Sequence, residues 1–112
     1  MAFAPFDVVV VPFPYADRLA EKRRPAIVIS ASDLEKRHGF VWLAMVTSAS
    51  NPAWRDDVLV SDLKTAGLPA PSRLRPAKIA TVDAARIVRR IGKRGAKDAK
   101  AVRDELRALM AG

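Results

Sequence analysis

Asp7-Val8-Val9-Val10-Val11-Pro12-Phe13-Pro14, then a charged loop, then Arg23-Arg24-Pro25-Ala26-Ile27-Val28-Ile29-Ser30: the reading of this stretch decides the fold. Two short β-branched runs closed by proline read as strands, over Phe6–Phe13 and Pro25–Ser30. The valines of the first are continuous rather than alternating, which fits a strand covered on both faces. The pair makes a hairpin with a long polar loop from Pro14 to Lys22. At the mouth of the second strand Arg24 precedes Pro25. Proline fixes its own φ and pushes the residue before it towards extended geometry. A guanidinium on so stiff a backbone suits phosphate, because its planar fork donates two parallel hydrogen bonds. The same tripeptide would serve equally as a plain strand start with a solvated arginine.

Outward from this hairpin the chain reads as more short strands. Ser32 caps a brief helical turn through Asp33 and Glu35. Phe40–Thr47 is a third strand, Ser48–Asp56 a loop containing Asn51-Pro52, and Asp57–Val60 a fourth strand. Asp62–Ala66 is a helical turn ended by Gly67. Arg75–Val82 and Ala85–Ile91 are two further strands, with Gly92 and Gly95 at the exit. Ala99, Val102, Leu106 and Leu109 then recur at three- and four-residue steps, one apolar helix face, with Lys100, Arg103 and Arg107 on the outer side. Many strands followed by one helix imply a mostly β chain, a small barrel-like sheet closed by that helix.

Composition narrows the function. A chain of 112 residues, half of them hydrophobic, holds one domain, taken here as residues 1–112. It has no cysteine and a single histidine, His38, so neither a metal site nor a cofactor is expected. No apolar run approaches the ~20 residues of a membrane span, and Met1–Asp7 lacks the pattern of a signal peptide, so a soluble cytoplasmic protein is expected. The net charge of +8 is unevenly placed. From Lys64 to Arg94 nine basic residues face one acid, Asp83. Such a block attracts polyanions, either nucleic acid or an acidic protein segment.

Three features converge on phosphate chemistry: Arg24, the Thr47-Ser48 pair at the end of strand three, and Ser72-Arg73-Leu74-Arg75 after a proline-rich turn. Arg73 and Arg75 flank Leu74 and so share a face. Arginines and hydroxyls without a histidine or a carboxylate pair suit binding and stabilising phosphate. RNA supplies its own nucleophile, the 2′-OH.

In this order and spacing, with Lys22-Arg-Arg-Pro-Ala-Ile-Val-Ile-Ser30, Val46-Thr47-Ser48, Gly67-Leu68-Pro69 and Arg86-Ile87 to Ile91-Gly92, the chain resembles the MazF/PemK-like toxins of bacterial toxin–antitoxin pairs over about residues 6–110. The resemblance implies an SH3-like barrel with a C-terminal helix, a homodimer, and a metal-independent, sequence-specific endoribonuclease that cuts single-stranded mRNA through 2′-OH attack. It implies a cognate antitoxin, expected to be acidic from the charge map, whose C-terminal segment covers the RNA groove, and DNA binding by the toxin–antitoxin complex. Residue by residue, Arg24 matches the catalytic arginine and Thr47 the catalytic threonine. Ser48 and the loop from Asp17 through Lys22 to Arg23 match RNA-contacting positions, and Arg75 matches an arginine catalytic in the Kid/PemK branch. Ser72, Arg73, Arg75 and Lys78 of the basic block join the RNA-binding set, and Glu21 is a candidate to take the 2′-OH proton.

Two positions depart from the family. Many members have glycine before the first aspartate, where this chain has Phe6. The Kid/PemK branch places an aspartate at the position of Ala77, so that carboxylate is absent and Arg24 with Thr47 is the better catalytic pair. His38 follows a charged turn away from the motifs and reads as an exposed loop residue. Three rival readings stand: a member of this family that has lost activity through the Ala77 departure, a non-catalytic nucleic-acid-binding barrel, and a CcdB-like gyrase poison. Leu109-Met110-Ala111-Gly112 lacks the aromatic-Gly-Ile tail of the last.

Overall fold

The computed structural model describes residues 2–14, 21–93 and 96–111. Six strands form one antiparallel sheet: β1 (Asp7–Pro14), β2 (Glu21–Val28), β3 (Phe40–Ser48), β4 (Val58–Leu59), β5 (Ser72–Asp83) and β6 (Arg89–Lys93), in the spatial order β4-β5-β3-β2-β1-β6. Helix α1 (Ser32–His38) joins β2 to β3, α2 (Leu63–Ala66) joins β4 to β5, and α3 (Ala96–Leu109) closes the chain. This is the small curled sheet with a C-terminal helix that the sequence implied.

The valine run of β1 works on both faces, as its continuity required. Val8 packs with Ile27, Ala44, Val46, Leu74, Ala99 and Val102 on the face that α2 and α3 cover. Val9 and Val11 pack with Ala26, Val28, Leu43, Met45, Phe3 and Ile87 on the other. Full burial of each such side chain is worth about 1.5–3 kcal/mol. Gly67, at φ +73°, and Gly92 let α2 and β6 meet backbone to backbone, since a Cβ on either would strike the other element.

Phe6 takes φ +69°. Glycine enters that region freely, whereas another residue pays roughly 1–2 kcal/mol. Here the ring is buried in the helix-side core, with the Arg103 guanidinium over it at 5.4 Å. Burial therefore offsets the strained backbone.

Several boundaries differ from the sequence reading. β2 begins at Glu21, so Arg24 lies inside the strand, opposite Val11, rather than at its mouth. β5 begins at Ser72, three residues before the expected start, because it pairs with both β3 and β4 there. Pro76 does not break it. The register passes from Ala44↔Ile79 to Met45↔Arg75, leaving Pro76, Ala77 and Lys78 in a bulge outside the ladder. The expected strand from Ala85 opens instead as a 3-10 turn over Ala84–Arg86, and β6 starts only at Arg89. Ala85 and Arg86 carry little β-preference to oppose that turn.

Candidate nucleic-acid interface

Pro25 opens the site. The carbonyl of Val10 accepts a hydrogen bond from the Val88 N–H, so Val10 turns its peptide groups towards β6. Its cross-strand partner Pro25 must then turn its own towards β3. A proline has no N–H to give. The β2–β3 ladder accordingly ends at Ala26↔Met45, while β1–β2 pairing runs on to Glu21 and β3–β5 pairing runs on to Ser48. The sheet forks at this point.

One row of residues crosses the fork. Val11 pairs with Arg24, and Thr47 pairs with Arg73. Two residues beyond the last β2–β3 pair, Ala26↔Met45, stand Arg24 on one strand and Thr47 on the other. Alternation puts Arg24, Thr47, Arg73 and Arg75 on the face of Met45 and Val11, away from α3. That core gives out along the row, and cationic and hydroxyl groups take over.

The loop after β3 is bolted to this row. Asn51 Nδ2 donates to Thr47 Oγ1 at 2.7 Å, so the Thr47 oxygen is an acceptor there and its own proton is left to point elsewhere. Arg73 donates through a terminal nitrogen to the Ala49 carbonyl at 3.4 Å, and its buried Nε has no partner among the described residues. Such a buried donor is costly to leave unmatched and reads as a group waiting for an acceptor.

Arg75 behaves differently. Its Nε and one terminal nitrogen grip the Asp57 carboxylate at 3.0 and 2.8 Å, and that terminal nitrogen also reaches the Pro52 carbonyl at 3.1 Å. The guanidinium lies 4.0 Å from the centre of the Trp54 ring, and only 8% of the residue is exposed. The bond from Arg75 holds the Asp57 carboxyl below its ordinary range, with the Trp54 backbone N–H adding to the effect. Asp57 in turn raises Arg75. This carboxylate reaches the arginine from the β3–β4 loop.

The remaining expected residues scatter. Lys22 shares the face of Arg24, whereas Arg23 points to the other side of β2; both are exposed. Ser48 shares a 2.8 Å bond with Ser50, and Ser72 is buried with its hydroxyl on the Ala70 carbonyl, both on the face opposite Thr47. Lys78 is exposed on the β5 bulge. Asp17 lies outside the described residues, as does the side chain of Glu21. His38 is exposed at the end of α1 and stacks on Phe40. The sequence reading missed Asn51, Trp54 and Asp57, all in a loop whose polarity was its only signal.

The profile of PemK-like, MazF-like toxins of type II toxin–antitoxin systems matches residues 4–110, and the chain belongs to that family. No curated protein matches it at the level of sequence. Among solved structures it is similar to MazF from Deinococcus radiodurans, at a TM-score of 0.76 and 21% identity, covering 97% of this chain and 96% of that one. An endoribonuclease in complex with its cognate antitoxin from a mycobacterial species matches at a TM-score of 0.76 and 14% identity, covering 99% and 100%. The Mycobacterium tuberculosis toxin MazF-mt6 matches at a TM-score of 0.71 and 19% identity, covering 89% and 91%. At these identities the likeness is one of fold. No helix among the described residues is long and apolar enough to cross a membrane.

Proposed function

We propose that this chain is a sequence-specific endoribonuclease that cuts single-stranded RNA without metal or cofactor and is held in check by an acidic antitoxin. The observation that carries the reading is the fork at Pro25, with Arg24 on one side of it and the Thr47↔Arg73 pair on the other, all on one face. A phosphodiester laid in the fork meets two guanidinium groups and a hydroxyl proton. The RNA 2′-oxygen attacks phosphorus, the bond from phosphorus to the 5′-oxygen breaks, the 2′-OH proton leaves to a base, and the 5′-oxygen gains a proton. The products are a 2′,3′-cyclic phosphate and a 5′-hydroxyl.

A guanidinium is a poor base, so Arg24 is an electrostatic clamp that also hydrogen-bonds the leaving 5′-oxygen, which takes its proton from water. Thr47, held by Asn51, hydrogen-bonds a non-bridging oxygen as charge develops there. Arg73 adds charge from β5. Glu21, at the start of β2, is our candidate for the group that takes the 2′-OH proton. Arg75 holds the β3–β4 loop through the bonds of its Nε and one terminal nitrogen to Asp57 and Pro52.

A homodimer fits the opposite side of the molecule. Trp42, Ile79, Leu109 and Met110 are exposed and line an apolar groove of about 600 Å³ with Ile29 and Leu106. Apolar surface so concentrated marks an association site.

The test is to map the ends of fragments from a long natural RNA cut in EDTA. Cyclic phosphate and 5′-hydroxyl ends at one recurring sequence are expected. Loss of all cleavage in EDTA, or 5′-phosphate ends, would contradict the mechanism.

A further inference from the structure

Trp54 is exposed, yet both its ring and its backbone are engaged. The residue is 44% open to solvent. The Arg75 guanidinium lies at one of its faces, 4.0 Å from the ring centre. Its backbone N–H donates to Asp57 Oδ2 at 2.9 Å, and the same carboxylate oxygen receives Arg75 at 2.8 Å. Ring, guanidinium and carboxylate therefore close on one another. At the other end of this loop, Asn51 is bonded to Thr47 and Ala49 to Arg73.

We infer that Trp54 is a stacking platform for one base of the RNA strand beside the bond that is cut. The inference rests on the ribonuclease reading of the fork and adds to it a contact for a nucleobase. Unpaired bases lie flat on aromatic rings, and the contact tolerates any base because each has a π-face. A ring already fixed loses little freedom on binding.

The surroundings favour RNA over a protein partner. Trp54 stands in a loop with exposed Ser50, Asn51, Pro52 and Arg55, and does not line the apolar groove that holds Trp42. Trp42, the other tryptophan, sits instead among Ile79, Leu109 and Met110, where a protein would dock. An isolated ring in a polar loop suits stacking, whereas a clustered one suits an interface.

The experiment uses a Trp42→Phe background, which leaves Trp54 the single tryptophan of the chain. The probe is a pool of short single-stranded 2′-O-methyl oligoribonucleotides, which cannot be cleaved. Binding is read by anisotropy of a labelled pool and stacking by Trp54 emission with unlabelled pool. Quenching that tracks binding is expected. Trp54→Ala should weaken binding about tenfold, the loss of one stacked base, and Trp54→Phe should keep most of the affinity. RNA bound with Trp54 emission unchanged, or Trp54→Ala binding at wild-type affinity, overturns the inference and leaves the ribonuclease reading standing. Normal RNA affinity with an altered sedimentation coefficient in Trp54→Ala makes the ring a protein contact and likewise overturns it. If the unmodified chain binds no RNA, the inference and the ribonuclease reading fall together.

Discussion

Arg73 and Arg75 leave the same face of the same strand, one on each side of Leu74, and the structure puts them to opposite uses. Arg75 is buried under Trp54 with its charge met by a bidentate carboxylate. Arg73, opposite Thr47, spends one weak bond on a carbonyl and keeps an unmatched buried Nε. Residue type and strand position do not separate them. What separates them is the loop that returns over β5: it brings Asp57 to Arg75 and only a backbone carbonyl to Arg73. An arginine given a carboxylate is tied into the fold, whereas one left beside a hydroxyl keeps an unmatched donor.

The comparison breaks first at the row across the fork. Arg24→Ala should lower cleavage by roughly 10³-fold or more while leaving the melting temperature near that of the unmodified chain, because it removes a charge from the site and nothing from the core. Thr47→Val, nearly isosteric, should cost about 10²–10³-fold in kcat by removing one donor to the developing charge. Single-turnover cleavage of an excess-enzyme mixture measures both. Near-native rates in either variant would separate the row from the chemistry.

The clamp should fail in stability instead. Asp57→Ala leaves a buried guanidinium without its counter-charge, at a cost of about 3 kcal/mol or more, seen as a melting point lowered by roughly 10 °C or more. The pair also sets an acid limit. Arg75 holds the folded Asp57 carboxyl below its ordinary 3.8. Its stabilisation is therefore complete at neutral pH and is lost only as the pH falls below about 4 and the folded carboxyl becomes protonated. Melting temperature plotted against pH should drop less steeply below pH 4 in Asp57→Asn. An identical acid limb in the variant would mean that other carboxylates set it.

Local chemistry made much of this legible. The paired β-branched runs, the Gly67 stop and the apolar face of α3 each announce their element in a few residues. Arg24-Pro25 was visible as a stiff arginine, although the stiffness acts at one remove: the missing N–H ends a ladder and opens the fork. What stayed hidden depends on pairing across the sheet. The start of β5 at Ser72 follows from its neighbours β3 and β4, which overrule the proline-rich turn before it. Asn51, Trp54 and Asp57 sit in a loop without periodicity, and only its return over β5 brings them to Thr47 and Arg75. From the sequence the two flanking arginines looked equivalent, because the carboxylate that distinguishes them is 18 positions away from Arg75.

The smallest effect is the sharpest test of that difference. Each phosphate neutralised by a protein cation releases counterions, so the slope of log K against log salt falls by about 0.7 for every single-strand phosphate contact removed. Arg73→Gln keeps a long polar side chain but loses the charge opposite Thr47, and should flatten the slope by about that amount. Arg75→Met fills the same space under Trp54 and also removes a charge, but one already cancelled by Asp57. Its slope should match the unmodified chain even where overall affinity has dropped through loosening of the loop. Titration with a non-cleavable 2′-O-methyl strand between low and moderate salt gives both slopes. Equal flattening in the two variants would mean that RNA draws Arg75 out of its clamp, and the division of labour along β5 would then be a property of the free protein alone.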